Sequence, residues 1–340
     1  MDHGKVLKRA WHIVWRYRAL WVFGFILALT AGRGPNNWVQ YSFRGEDFSS
    51  RGIHLDRLPS NIGSIQLAIG IGLACLIVLL IIVTAIARYV AETALIRMVD
   101  HHEETGQKRS VGQGFRMGWS RSAFRLFLID LVIGLPVAVA FILLFLLAAS
   151  PLLLWATEST AAGAMGTALA VGLGLLVVLL AIVVALILSV LKPFFRRVCV
   201  LAGLGVTEAI RQGYAMVRHD LKDVGLMWLI TFGLRIGWGI LMIPVVLLLL
   251  VVSGAVGGLL ALLAGGLTGL AFEGPMPWIV AAVVGIPVFI VVMVAPLAFL
   301  GGLFEVFLSS TWTLTYRELQ AEGATHFESA LHLGNSSDEP

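Results

Sequence analysis

The sequence predicts an all-α protein, a polytopic membrane helical bundle of six spans built as three tandem repeats. Hydrophobic residues make up 59% of the 340 residues and charged residues only 13%, and the mean hydropathy is +0.92. These values lie far outside those of soluble globular proteins. In addition, one local pattern occurs three times: a small residue and an aromatic residue, adjacent within a charged amphipathic segment that leads into an apolar run.

The spans are predicted from apolar runs of about 20 residues or more, the length that crosses the hydrocarbon core of a bilayer. Five runs meet this length, at 62–87, 123–149, 161–191, 224–252 and 279–309. A sixth run, 20–31, is short. It becomes a span only if the helix that begins near Lys5 continues into it, with Arg16 and Arg18 reaching the headgroups.

The repeated pairs are Ala10-Trp11, Gly114-Phe115 and Gly213-Tyr214, whose aromatic members lie 104 and 99 residues apart. This spacing predicts three units, each with one interfacial helix and two spans. The units cover 1–103, with an outer loop at 32–61, then 104–203, and 204–320 with a glycine-rich outer loop. A flexible acidic tail is predicted at 321–340.

Each interfacial helix is predicted to place bases on its wet face and apolar residues in the bilayer. In the first, Val6, Ala10 and Trp11 share the apolar face. Ser110 and Gln113 form a capping-box pattern, so the second begins there and presents Val111, Phe115, Gly118 and Trp119 to lipid. The candidate contacts with lipid headgroups are Lys5, Lys8, Arg9, Arg16, Arg116, Arg121, Arg196, Arg197 and Arg211.

The stretch 254–272 is apolar but rich in glycine and has no flanking base. We expect it to be a re-entrant or surface-lying part of the outer loop. The alternative is a seventh span, which would reverse the side of the C-terminus.

Orientation follows from the basic residues. Of 24 Lys and Arg, 19 lie on the side of the two termini and four in the first outer loop. The positive-inside rule therefore predicts cytoplasmic termini in the inner membrane of a bacterium.

Arg235 and Glu305 are the candidate intramembrane pair. Each lies twelve residues, or about 18 Å, from a charged residue at its own inner boundary, on antiparallel spans. Such a pair can mark a substrate or proton path, or it can be an interhelical staple. Asp130 lies closer to the boundary, and we expect it to contact a basic interfacial helix.

The sequence predicts no cofactor and no catalytic site. The run 100–104, Asp-His-His-Glu-Glu, has metal-binding residue types, but neighbouring side chains on a helix do not converge. The positions of Cys75 and Cys199 indicate neither a disulfide bond nor a metal site. The basic pI of 9.3 suggests anionic lipids rather than nucleic acid as partners. A membrane-protein partner or a homo-oligomer remains open.

The segment 203–230 resembles the repeating element of a broad group of bacterial membrane proteins, through Gly203, Gly205, Glu208, Ala209, Ile210, Arg211, Gly213 and Tyr214. The group includes the membrane domain of some glycerophosphoryl diester phosphodiesterases and stand-alone six-span relatives of unknown function. The resemblance covers the repeat junctions and implies no phosphodiesterase activity.

Together these features predict a non-enzymatic membrane module that acts through lipid or protein contacts. The first alternative is a transporter or permease with Arg235 and Glu305 in a central cavity. The second is a lipid-processing enzyme, which would need acids or histidines converging at one membrane depth.

Overall fold

The chain is all-α in the computed structural model, which describes residues 1–30, 60–156, 159–270, 272 and 274–335, with the backbone alone at 60–69, 156 and 323–335. These residues form nine α-helices and no strand. The helices are α1 (His3–Arg16), α2 (Ala19–Thr30), α3 (Ser60–Thr105), α4 (Val111–Gly118), α5 (Arg121–Ala149), α6 (Thr160–Leu201), α7 (Val206–His219), α8 (Leu221–Gly269) and α9 (Met276–Asn335). A 3₁₀ segment, Ser150–Ala156, follows α5.

Five helices, α3, α5, α6, α8 and α9, are long and apolar enough to cross a membrane. A sixth crossing exists only if α1 and α2 count as one broken span, since they meet at 99°. The helix that begins near Lys5 therefore leads into this apolar run only through a sharp bend and not as one continuous helix. The predicted outer loop lies, except for its last two residues, outside the described part of the chain.

Tyr17 explains the bend between α1 and α2. It ends α1, and its N–H donates to the Ile13 carbonyl at 2.9 Å. Its ring is buried, and its hydroxyl donates to the Arg109 carbonyl (2.9 Å) and accepts the Arg109 N–H (2.6 Å). The side chain thus fixes the bend to the segment before α4. An apolar run in a sequence carries no sign of such an anchor.

The buried core lies at one end of the bundle, which we call the compact end. It is formed by α1, α2 and the residues 90–99, 122–129, 194–200, 217–231 and 297–319. Two apolar clusters meet there, and α9 supplies Val306 to one and Trp312 to the other. Towards the opposite end the helices are apolar but exposed. All eight residues 76–83 of α3 are exposed, for example. Lipid can cover such surfaces, whereas water cannot without large cost.

The glycine-rich stretch 254–272 is not a re-entrant segment. Residues up to Gly269 continue α8 without a break, and they pack on the beginning of α9. A Cβ on Gly257 would lie 2.9 Å from Phe289 Cβ, and one on Gly265 would lie 2.9 Å from Ala281 Cβ. Close packing against a neighbouring helix therefore offsets the low helix propensity of glycine. At the other end of α9, the helix extends through most of the predicted tail to Asn335.

Candidate functional site: the compact end

A charged network joins three helices at the compact end. The Arg196 guanidinium on α6 donates to Glu92 Oε1 on α3 (2.6 Å) and to both oxygens of Asp130 on α5 (2.9 and 2.6 Å). Tyr89 donates to the same Asp130 carboxylate at 3.2 Å, and Lys192 Nζ lies 3.7 Å from it. Asp130 therefore pairs with bases of a span, and the expected contact with an interfacial helix is wrong.

Arg197 lies inside the protein. The residue is 4% exposed, and its guanidinium donates to the Pro193 carbonyl (2.8 Å) and the Ser309 carbonyl (3.0 Å). Arg196 is also largely enclosed, with 13% of its side chain exposed. Neither guanidinium can meet a lipid headgroup from this position. The prediction that these two arginines contact lipid headgroups is therefore wrong.

The acidic run 100–104 binds bases of other helices. Arg317 on α9 donates to Asp100 Oδ1 at 2.6 Å and lies 3.5 Å from Glu104. Arg9 on α1 contacts Glu103 and Glu318. In the part of the chain that the structure describes, no three His, Cys, Asp or Glu side chains converge as metal ligands. The run instead joins the end of α3 to α1 and α9.

The three repeated pairs share one arrangement. Ala10, Gly114 and Gly213 are buried, whereas the adjacent aromatic residues Trp11, Phe115 and Tyr214 are 56%, 46% and 52% exposed. A Cβ on Gly213 would lie 2.6 Å from the Phe195 ring. The small residue lets each amphipathic helix approach a span, and the aromatic residue next to it remains at the surface.

The apolar faces of α1 and α7 pack largely on protein, contrary to expectation, whereas on α4 Val111, Phe115 and Trp119 remain exposed as predicted. Val6, Ala10, Ile13 and Val14 of α1 are buried in the core. Gly118 faces the Val90 carbonyl of α3 rather than lipid. Periodicity identifies which residues share a face but not what covers that face, since a protein core and a bilayer are both apolar.

Exposed bases and aromatic rings lie on or next to the short helices of the compact end, and we call this set the basic rim. The bases predicted to contact headgroups are exposed here, apart from Arg196 and Arg197. Arg9 is exposed but also paired with acids. The rim consists of Lys5, Lys8, Arg9, Arg16, Arg116, Arg121 and Arg211 with Trp11, Trp15, Phe115, Trp119 and Tyr214.

Local electrostatics shape the start of the rim at α1. Asp2 accepts the Lys5 N–H at 3.1 Å, and its carboxylate lies 3.1 Å from Lys5 Nζ. These contacts favour the ionised carboxylate and hold the pKa of Asp2 below its usual value. The helix N-terminus is thereby capped, and the bases that follow project from an ordered first turn.

Arg235 and Glu305 lie on the neighbouring helices α8 and α9. Arg235 is exposed and Glu305 half-buried. Trp238, three residues after Arg235, stacks on Phe304 with ring centroids 4.8 Å apart. The stack brings the two helices together at this level. Whether the two charges line a cavity or join helices stays a prediction.

The fold and the exposed apolar helices define a multi-pass, all-α membrane protein. The chain belongs to a family of unknown function, DUF7544, whose model matches residues 13–315. Searches of curated proteins and of solved structures find no match.

Proposed function

We propose that this protein is a non-enzymatic module of the bacterial inner membrane that binds anionic lipid headgroups through its basic rim. The compact end then lies at the inner leaflet, with both termini in the cytoplasm. The observation that carries the proposal is the exposure of bases and aromatic rings together at one end of the bundle.

Two physical arguments support the rim as a lipid contact. Each Lys or Arg near an anionic leaflet contributes roughly 1 kcal/mol of attraction. Trp and Tyr are favoured at the membrane interface, where the ring meets apolar chains and its polar atom meets water. The rim combines both residue types on α1, α4 and α7, three helices too short and too polar to cross a membrane.

In each of the three repeated pairs the small residue is buried and the aromatic residue is exposed. This shared arrangement supports the proposal that the chain is built from three related units. We propose that these units relate the chain to the membrane domains attached to some glycerophosphoryl diester phosphodiesterases. The proposed kinship concerns the membrane part alone. A membrane-protein partner or a second copy of the chain is the proposed additional contact of such a module.

The rim is tested in nanodiscs of phosphatidylcholine, with or without phosphatidylglycerol. We expect phosphatidylglycerol to raise the melting temperature of the wild-type protein, and added salt to reduce this rise because it screens exposed charges. Combined Lys8→Gln, Arg16→Gln, Arg116→Gln and Arg211→Gln substitutions should remove the rise. The charge-retaining control, with Lys at the three Arg positions, should keep it. An equal rise in the wild-type and Gln proteins would contradict the proposal.

A transporter is the second candidate, with Arg235 and Glu305 on the neighbouring helices α8 and α9, which the Trp238–Phe304 stack brings together at this level. Single cysteines at positions 235 and 305, in a protein lacking Cys75 and Cys199, test it with a membrane-impermeant thiol reagent. Ile240→Cys on the exposed face of α8 is the lipid-shielded control. Labelling at 235 or 305 but not at 240 would favour an aqueous path and transport.

A further inference from the structure

A groove of about 400 Å³ opens between α2 and α3 on the membrane-facing surface. Ile77, Leu80, Ile81 and Thr84 line it along one face of α3, and Arg88 lies at its end near the compact end. The volume is within the range of ligand pockets, about 300–1,000 Å³. The groove is thus large enough for part of a lipid.

The length of the groove matches one leaflet. From Ile77 to Arg88 the helix rises about 17 Å, and half of the hydrocarbon core is about 15 Å thick. The residues between them recur at three- and four-residue spacing, so they form one continuous apolar strip. An extended acyl chain lying in this strip places its headgroup beside Arg88.

Arg88 differs from the other arginines that line the interior of the compact end. Each of those donates to a protein oxygen, as seen for Arg97, Arg125, Arg196, Arg197 and Arg317. The Nε of Arg88 is buried and has no hydrogen-bond partner among the described residues, as is also the case for the Nε atoms of Arg196 and Arg197. In those two residues, however, the other guanidinium nitrogens donate to protein oxygens, whereas Arg88 makes no such hydrogen bond within the described residues. Its guanidinium lies 5.9 Å from the Tyr89 ring centroid. A buried donor without an acceptor is costly, and a phosphate oxygen would satisfy it.

The nearby acids Glu92 and Asp130 are paired with other bases, so neither of them neutralises Arg88. Asp130 accepts from Tyr89 and Arg196 and also lies near Lys192, while Glu92 accepts from Arg196. A zwitterionic headgroup carries its own cation beside the phosphate, whereas an anionic headgroup brings a negative charge that only the protein can balance. The anionic headgroup therefore complements Arg88 better.

We propose that this groove binds one anionic phospholipid, with its phosphate on Arg88 and an acyl chain along the strip from Ile77 to Thr84. The inference rests on the proposed function only in placing the compact end at the membrane surface. The groove lies on the membrane-facing surface of the bundle, and its lipid is distinct from the lipids around the basic rim.

Native mass spectrometry of the detergent-purified protein tests the site with equal amounts of phosphatidylglycerol and phosphatidylcholine. The wild-type protein should retain one phosphatidylglycerol. Arg88→Gln should lower its occupancy about tenfold, the size expected for one charge-assisted hydrogen bond. Ala85→Phe, which fills the groove, should prevent retention of either lipid. Arg218→Gln, which removes an exposed base outside both the groove and the basic rim, should leave retention unchanged.

Gel filtration of each variant checks folding, and Ala85→Phe tests the groove without changing any charge. Unchanged occupancy in both Arg88→Gln and Ala85→Phe would overturn the proposal. A wild-type protein that retains no lipid would also overturn it, and would favour another part of the chain as the occupant. The Gln variant of the basic rim should keep the retained lipid, so failure of the rim and failure of the groove give different results.

Discussion

At the scale of single residues, Arg196 is the centre of charge compensation in the compact end. Its guanidinium neutralises Glu92 on α3 and Asp130 on α5 while its own helix, α6, is held between them. Exposed ion pairs contribute little to stability. Here 13% of the Arg196 side chain is exposed, so loss of one partner leaves the others charged and poorly solvated.

Arg196→Met should therefore destabilise the protein by roughly 3–5 kcal/mol, measured as a lower midpoint of thermal unfolding in detergent. Arg211→Met, at an exposed position of the basic rim, serves as the matched control and should change the midpoint little. Addition of Glu92→Gln and Asp130→Asn to Arg196→Met should recover part of the loss, because the uncompensated acids are removed. Equal midpoints for the two single Met variants would refute this account of the network.

Gly118 gives a second test, since α4 approaches α3 there without a side chain between them. A Cβ at Gly118 would lie 2.4 Å from the Val90 carbonyl oxygen, whereas one at Gly112 of the same helix meets nothing within 4 Å. Gly118→Ala should cost about 1–3 kcal/mol through displacement of backbone. Gly112→Ala should be neutral or slightly stabilising. Thermal unfolding of both variants tests this prediction. Equal midpoints would show that α4 can move away from α3 without a loss of stability.

At this scale the sequence predicted contacts between neighbouring residues, but it could not predict contacts between residues far apart in the chain. The capping box is confirmed: Ser110 Oγ accepts the Gln113 N–H, and the Gln113 side chain accepts the Ser110 N–H. That motif is local. Arg196 and Glu92 are 104 residues apart, so nothing near Arg196 in the sequence distinguishes an internal ion pair from a headgroup contact.

At the scale of helices, α2 and α9 cross at two glycines. A Cβ on Gly302 would lie 2.7 Å from backbone atoms of Gly24 and Phe25, while one on Gly301 would meet only Ala28 Cβ at 3.8 Å. Small residues allow such close crossings in membranes, where dispersion contacts hold helices together. The sequence alone does not identify this pair, because Gly24 and Gly302 are far apart along the chain.

Gly302→Ala should separate α2 from α9 and lower the thermal midpoint, by about 1–3 kcal/mol. Gly301→Ala is the adjacent control in the same helix and should retain the wild-type midpoint. A disulfide between cysteines introduced at Ala28 and Gly301, where the Cβ atoms would lie 3.8 Å apart, reports the crossing independently, and Gly302→Ala should slow its formation. If Gly302→Ala leaves both the midpoint and the disulfide rate unchanged, the close crossing does not exist.

Prediction at the scale of helices succeeded where the signal was length and composition, and failed where packing decided. The five long apolar runs became the five long helices. The bend at Tyr17 and the continuation of α8 through 254–269 depend instead on contacts with Arg109 and with α9. Glycine lowers helix propensity by about 1 kcal/mol per residue relative to alanine. The glycines of 254–269 therefore favoured a loop in the sequence-based prediction, whereas packing on α9 keeps the stretch helical.

At the scale of the whole molecule, burial is concentrated at the compact end. In the most apolar window of each span at most 6% of residues are buried. Lipid is as apolar as these side chains, so it provides no hydrophobic drive to bring the spans together. The compact end, where buried charges, caps and apolar clusters coincide, therefore holds the bundle together, and its position relative to the bilayer decides where the basic rim acts.

The orientation is tested with single cysteines at the two ends, in a protein lacking Cys75 and Cys199. Gly112 in α4 and Thr160 at the start of α6 are both exposed and lie at opposite ends of the spans. In intact bacterial cells, an impermeant thiol reagent should label Thr160→Cys at once and Gly112→Cys only after lysis, because 19 bases lie on the side of Gly112. The reverse order would place the basic rim and the open side of the Arg88 groove in the outer leaflet, where anionic lipids are not their partners. Labelling of both from outside would mean that α5 does not cross the membrane.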